Sequence, residues 1–142
     1  MPLMTAKMLE DFNREHFPQV DHMNMRVEHV DDKTITIRMS VTEQHLRPGG
    51  TVSGPTMMAL ADAGMYLLLL AQIGPVALAV TTNLNINFLR KPAPGDIVAR
   101  GNILKLGKTL ATGEISIYSI GIEDPVAHVT LTYAIPPKKQ NL

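Results

Sequence analysis

Cysteine and tryptophan are both absent from this chain of 142 residues. The first absence excludes disulfides, thiolate metal sites and a cysteine nucleophile together. Aromatic residues are scarce, with three Phe and three Tyr, and charge is sparse and balanced at 13 basic against 13 acidic residues. Such a balance marks no nucleic-acid surface. The opening stretch, MPLMTAKMLEDF, carries acids early and has no apolar core of its own, so it does not read as a secretory leader. A soluble cytoplasmic protein is the expectation. What the chain has in quantity is methionine, nine residues of it. Methionine fills irregular space and adapts to variable ligands, although a Met-rich core is its commoner use. The length predicts one domain over 1–142, large enough to bury a core without staples.

Apolar spacing predicts a short amphipathic helix from Thr5 to Phe17, with Met8, Leu9 and Phe12 on one side and Pro18 ending it. Two strands follow, Met23 to Val30 and Thr34 to Val41, joined by the turn Asp31-Asp32-Lys33. In the second, Ile35, Ile37, Met39 and Val41 alternate with polar neighbours, the period of a half-buried sheet. A glycine-rich loop, Arg47 to Val52, leads into a long apolar segment. Four strand-like runs come after it, roughly Ala77–Leu89, Ile97–Lys105, Thr109–Ile120 and Val126–Ile135, separated by Pro, Gly and acidic turns. Pro136 onward reads as a flexible tail, 136–142. Helix, two strands, long helix and four strands make an α+β fold with an antiparallel sheet and segregated helices.

The long segment, GGTVSGPTMMALADAGMYLLLL, carries one acid, Asp62. A helix over Pro55–Ile73 would be roughly 28 Å long. Its uncharged run, Ala63 to Ala71, is too short to span a bilayer, so the expectation is a helix surrounded by protein. Small residues at Ala59, Ala61, Ala63 and Gly64 would let a sheet curl closely around it. In such a place an ionised carboxylate must find partners or give up its charge. Asp62 either lies at an open end of the helix, solvated or paired with an arginine, or does chemistry; it is too deep to be explained by the helix dipole. Ser53 is a favoured N-cap, and Pro55 suits the first turn. Between them, the Gly54 N–H at the positive end of a helix is a donor suited to an oxyanion. An acid and an oxyanion donor are the minimum needed to hydrolyse an activated acyl group.

GGTVSGPTMMALADAGMY resembles the GT-x-HGG-x(6–7)-D stretch of hotdog-fold acyl-CoA thioesterases of the phenylacetate-degradation (PaaI-like) group, and VTTNLNINFLRKPAPGDIVARG resembles that group's next strand and turn. The resemblance covers roughly residues 40 to 135. It implies a hotdog fold, an antiparallel sheet wrapped around a central helix, and hydrolysis of an acyl-CoA to free acid and CoA. It also implies no cofactor beyond coenzyme A as part of the substrate. The active site would lie across a homodimer interface, with the homodimer standing alone or doubled to a tetramer, and no nucleic-acid or membrane partner is implied. Gly54 takes the place of the glycine whose N–H polarises the carbonyl. Asp62 matches the catalytic acid, a general base or a nucleophile, and Thr81 falls at the hydroxyl residue that places water. Ser53 stands where the motif has histidine, Pro55 where it has a second glycine, and Arg47 where related enzymes carry Asn or Gln. Arg47 would either hold Asp62 ionised or bind an acidic substrate.

Beside the resemblance, the third strand places Val80, Thr82, Leu84, Ile86 and Phe88 on one face, against the helix. Thr81, Asn83, Asn85 and Asn87 fall on the other, where they form either a wet sheet face or, through Thr81 and Asn83, part of the cleft. Met57, Met58 or Met65 would shape an acyl pocket. Arg90, Lys91, Lys105 and Lys108 cluster around turns, as solvated charges or as contacts for the phosphates of CoA. His45, in the loop near Arg47, is a candidate to border the cleft. His16-Phe17-Pro18 resembles the HFP stretch of hotdog dehydratases, but it precedes the first strand rather than the central helix, so His16 reads as a surface residue at a helix end. The remaining histidines show no metal-ligand spacing. A non-catalytic acyl-CoA-binding regulator and a hotdog dehydratase or hydratase are the alternative functions.

Overall fold

Strict alternation of buried and more exposed residues is kept in half of the six strands that build the main sheet, Thr34–Met39, Leu110–Ser119 and Ala127–Ala134. A computed structural model of the chain describes residues 1–137; of the anticipated tail, 138–142 lies outside the described residues. The chain order is α1 (Ala6–His16), a 3₁₀ turn (Pro18–Met23), β1 (Met25–Val30), β2 (Thr34–Met39), a second 3₁₀ turn (Glu43–His45), β3 (Leu46–Arg47), β4 (Thr51–Val52), α2 (Gly54–Ile73), β5 (Val80–Phe88), β6 (Ile97–Leu106), β7 (Leu110–Ser119) and β8 (Ala127–Ala134). Six strands form one antiparallel sheet in the order β1-β2-β6-β7-β8-β5, and β3 with β4 makes a separate two-stranded ribbon.

Most anticipated boundaries hold within a residue or two, and the departures have local causes. The first strand begins at Met25 rather than Met23 because Pro18 opens a 3₁₀ turn and Asn24, at φ 51°, breaks the chain direction. The second ends at Met39, and the Val41 N–H turns instead to the carboxylate of Asp96 at 3.2 Å. The Asp31-Asp32-Lys33 turn is held by Asp31 Oδ1, which accepts from the N–H groups of Lys33 and Thr34 at 3.0 and 2.9 Å. Within the glycine-rich loop, Leu46 pairs with Val52 and Arg47 with Thr51. Gly49 and Gly50 supply the positive φ (100° and 80°) that turn the chain between them.

The central helix is α2. It is long and apolar enough, by length and composition, to cross a bilayer, but the sheet encloses it: Leu60, Ala61, Met65, Leu67, Leu68, Leu69, Leu70 and Ala71 are buried. Against it pack the inward residues of β2 (Ile35, Ile37, Met39), β7 (Ala111, Ile115, Ile117) and β8 (Ala127, Val129, Leu131). Of the small helix residues, Ala61 and Gly64 do lie against protein, whereas Ala59 and Ala63 face a cavity. The sheet contributes glycines of its own to the close approach. A Cβ on Gly101 would lie 2.5 Å from Ile115 Cδ1 and 3.0 Å from Ile35 Cγ2, and one on Gly113 would lie 2.5 Å from Met65 Sδ. Met65 is thus core filling at this contact.

β5 departs from simple alternation. Its pairing with β8 slips between Thr81 and Asn83, a bulge that leaves Thr82 as the extra residue. One extra residue reverses the facing of what precedes it. Thr81 therefore turns toward the helix with Leu84 and Ile86, while Val80 is left 57% exposed. The expected face containing Val80 and Thr82 is corrected on this point.

His45 fixes the start of α2 to the N-terminal segment. It is 3% exposed; its Nδ1 accepts from the Thr42 N–H at 2.9 Å and its Nε2–H donates to the His22 carbonyl at 2.8 Å. Its own carbonyl accepts from the Ser53 N–H at 2.9 Å and from the Thr56 hydroxyl at 3.3 Å.

Three outcomes follow from this packing. Gly101→Val is expected to lower unfolding free energy by about 1–3 kcal/mol in urea melts, because the added methyls meet Ile115 and Ile35. His45→Ala should cost about 2–4 kcal/mol, since it strands the Thr42 N–H and the His22 carbonyl. The third concerns acid. Burial alone would raise the Asp96 carboxyl, but hydrogen bonds from Arg38 Nε (3.0 Å) and the Val41 N–H, with the Arg38 charge, outweigh it and hold the group below its ordinary value of 3.8. A depressed folded value stabilises above the unfolded one and is lost as pH falls through the folded one. The stability gap between wild type and Asp96→Asn should therefore be full near neutrality and shrink as pH drops below about 3.8; a pH-independent gap would contradict this.

Candidate functional site

Two cavities open along α2, and the residues singled out in the sequence divide between them. The first, of about 760 Å³, lies at the helix start and is lined by Arg47, Gly54, Pro55, Met57, Phe88, Arg90 and Lys91 among others. Ser53 caps the helix, accepting from the Thr56 N–H at 3.2 Å and sharing a 2.7 Å hydrogen bond with the Thr56 hydroxyl. A Cβ at residue 54 would come within 3.2 Å of the Phe88 ring, whose tip would have to give by a few tenths of an ångström. As the first residue of the helix, Gly54 has an N–H with no intrahelical acceptor.

The second cavity, of about 670 Å³, lies further along the helix. Asp62 and Thr81 line it with Phe17, Val20, Met23, Ala59, Ala63, Tyr66, Ala77–Val80 and Tyr133, and with the histidines His16 and His22. Its lining is mostly apolar, and Asp62 is its only carboxylate. The Asp62 Oδ1 accepts two hydroxyls, from Thr81 at 2.6 Å and from Tyr133 at 2.8 Å. The Thr82 bulge is what turns Thr81 to this position, directly across the ladder from Tyr133. The Tyr133 hydroxyl also lies 3.0 Å from the Asp62 carbonyl. Burial pushes the Tyr133 phenol far above the ordinary tyrosine range, with the neighbouring Asp62 charge adding to it, so it stays protonated as a donor.

Several sequence expectations change within the single chain. Arg47 lines the Gly54 cavity and not the Asp62 cavity, because the β3–β4 ribbon carries it to the start of the helix. His45 borders neither cavity; both its ring nitrogens are occupied in the joint already described. Met57 lines the Gly54 cavity, but Met58, 39% exposed, lines neither of the two, and Met65 lies in the core. The bulge separates Thr81 from Asn83, which is exposed and outside both cavities. Arg90 and Lys91 meet at the Gly54 cavity, where an Arg90 Nη1 donates to the Pro125 carbonyl. Lys105 and Lys108 do not join them. They flank the β6–β7 turn, beside the Ala134 and Val80 end of the sheet. His16 is exposed at the end of α1, as expected, but with Phe17 it also lines the Asp62 cavity. Among the described residues, no group of three or more His, Asp or Glu could hold a metal ion.

Sequence reading missed Tyr133 and the N-terminal roof of the Asp62 cavity. Tyr133 sits at an inward position of an alternating strand and looked like ordinary core. The roof is made by Phe17, Val20, His22 and Met23 around a 3₁₀ turn, which has no hydrophobic period to detect.

Gly54 and Asp62 are eight residues apart on one helix, roughly 12 Å along its axis. No single cavity of the described residues contains both. The two residues lie in separate cavities: a basic one with a free helix-end N–H, and an apolar one with an anchored carboxylate.

Comparisons with known proteins show which family the chain belongs to. The family model described as the Thioesterase superfamily matches residues 49–126. A crystal structure of a provisionally named thioesterase from a Silicibacter species is 47% identical and superposes with a TM-score of 0.89, the match covering 96% of this chain and 95% of that one. A mutant of the phenylacetic acid degradation protein PaaI from Thermus thermophilus is 26% identical with a TM-score of 0.73, over 84% of this chain and 99% of that one. A provisionally named esterase of Halobacterium salinarum is 30% identical over 117 residues, 79% of this chain and 76% of the relative. With its six-stranded sheet around a central helix, the chain belongs to the thioesterase superfamily as a PaaI-like, hotdog-fold thioester hydrolase.

Proposed function

We propose that the substrate is an acyl-CoA and that the site is completed by a second copy of the chain. The observation that carries this reading is the separation of the two half-sites at opposite ends of β5. Thr81, near one end of that strand, touches Asp62, and Phe88, at the other, packs on Gly54. β5 is also the edge of the sheet, bonded only to β8, with its outer backbone groups unpaired among the described residues. A nine-residue free edge invites pairing with another strand. Antiparallel pairing of β5 with its copy about a two-fold axis would set the Thr81 end of one strand beside the Phe88 end of the other. The Asp62 cavity of one protomer would then meet the Gly54 cavity of its partner. Arg47 would rejoin an Asp62 in this way, and the β6–β7 turn with Lys105 and Lys108 would be carried toward Arg90 and Lys91 across the pair.

In the completed site, the Gly54 N–H receives the thioester carbonyl oxygen and holds the charge that develops on it. Asp62 takes a proton from water as the water oxygen bonds to the carbonyl carbon. Collapse of the tetrahedral intermediate breaks the C–S bond, releasing the CoA thiolate and leaving the acid. Arg47, Arg90 and Lys91 suit the phosphates of CoA, since charge-assisted hydrogen bonds to phosphate are among the strongest available. The apolar cavity beneath Phe17 and Tyr66 suits the acyl group. Direct attack by the carboxylate is the alternative course for Asp62, and trapping of an acyl-enzyme anhydride would distinguish it.

The test is thiol release from a panel of short, medium, long and aryl acyl-CoAs. Asp62→Asn is expected to lower kcat at least about a hundredfold. Binding of CoA esters without release of thiol from any of them would favour a regulator instead. Mixing Asp62→Asn chains with Gly54→Pro chains, which lack the N–H, should restore part of the activity, because each mixed pair contains one intact site. No recovery after subunit exchange would place the site within one chain.

A further inference from the structure

Two tyrosines stand near Asp62, and they use their hydroxyls differently. Tyr66 donates to the Ala77 carbonyl at 3.1 Å, an ordinary solution for a buried phenol. Tyr133 donates to the carboxylate itself, although its ring lies only 6.2 Å from that of Tyr66. We propose that Tyr133 is a positioning residue for catalysis, which with Thr81 locks one oxygen of Asp62 so that the other faces the reacting water. The inference rests on the role given to Asp62 above.

The geometry is specific. Thr81 and Tyr133 are cross-strand partners on β5 and β8, and both hydroxyls converge on Oδ1. Oδ2 accepts no hydrogen bond among the described residues, and the residue is half-buried on the cavity wall. A carboxylate on an unrestrained aspartate rotates about its terminal torsion and exchanges its two oxygens. Two donors on one oxygen remove that freedom and leave a single oxygen to act on water. Holding a reacting atom in its productive direction is worth rate in itself. Tyr133 is better suited to the task than a surface residue would be. It is 3% exposed, its ring is fixed between β8 and α2, and burial keeps its hydroxyl protonated. The second contact, to the Asp62 carbonyl at 3.0 Å, ties the same hydroxyl to the helix backbone, so the anchor moves with the residue it holds.

Tyr133→Phe removes only the hydroxyl and keeps the ring packing. On the best acyl-CoA of the panel, kcat is expected to fall about tenfold, the size of one hydrogen bond to a charged group, with KM little changed. A fall in kcat with KM unmoved marks an interaction made in the transition state, a split that a merely structural role would not produce. Thr81→Val and the double variant complete a cycle: two donors acting on one oxygen should give non-additive losses in kcat. Unfolding midpoints are measured alongside. A variant with lowered stability but wild-type kcat would overturn the proposal, leaving Tyr133 a structural residue. Additive losses in kcat would overturn it too. Asp62→Asn separates the two levels: if that variant hydrolyses at the wild-type rate, the role of Asp62 itself is wrong. If it is inactive while Tyr133→Phe behaves as wild type, only the positioning role falls.

Discussion

A carboxylate on an enclosed apolar helix must be given hydrogen bonds, and much of the local structure follows from how Asp62 receives them. Its partners do not come from the helix. They come from two adjacent strands, Thr81 on β5 and Tyr133 on β8, so the sheet must curl far enough to bring hydroxyls to the helix flank. Glycine at positions 101 and 113 serves that close approach, since a Cβ at either would lie 2.5 Å from a neighbouring core side chain and force it to shift. The facing of Thr81 depends in turn on the bulge at Thr82. Each device is local, and together they let a charged group persist beside a core made largely of Leu, Ile and Met.

The second organising fact is the division of labour along α2. Its first residue offers a backbone donor among basic side chains, and its third turn offers an anchored acid in an apolar cavity. Eight residues, roughly 12 Å along the axis, separate the two. His45 holds the two regions in register. It joins the loop that caps α2 to the segment that roofs the Asp62 cavity, through a ring bond to the His22 carbonyl and backbone bonds to Ser53 and Thr56. A residue chosen in the sequence as a cleft candidate thus has a different importance, as the pin between the walls of the two cavities.

What was legible in the sequence was whatever repeats or caps. The period of two in Thr34–Val41, the apolar length of α2 and the Ser53-Gly54-Pro55 start led to the right elements, and the lone acid drew attention to Asp62. What could not be read was whatever interrupts a period. The bulge at Thr82 looks like any other strand residue, yet it decides which face Thr81 and Val80 occupy. Tyr133 was hidden because a buried tyrosine and a buried aliphatic residue satisfy the same alternation. The basic residues near turns looked like one group because sequence gives no distance between turns, and the ladder puts Lys105 and Lys108 at the opposite end of the sheet from Arg90 and Lys91.

The contact between Gly54 and Phe88 couples the start of the helix to the rim of the sheet. A Cβ at 54 would press on the tip of the ring, and Phe88 ends the strand at the sheet edge. The size of residue 54 and the setting of that ring are therefore linked: even a methyl at 54 would push the ring tip aside by a few tenths of an ångström. Because the same ring lines the basic cavity, a change at the helix start is felt in the cavity wall as well.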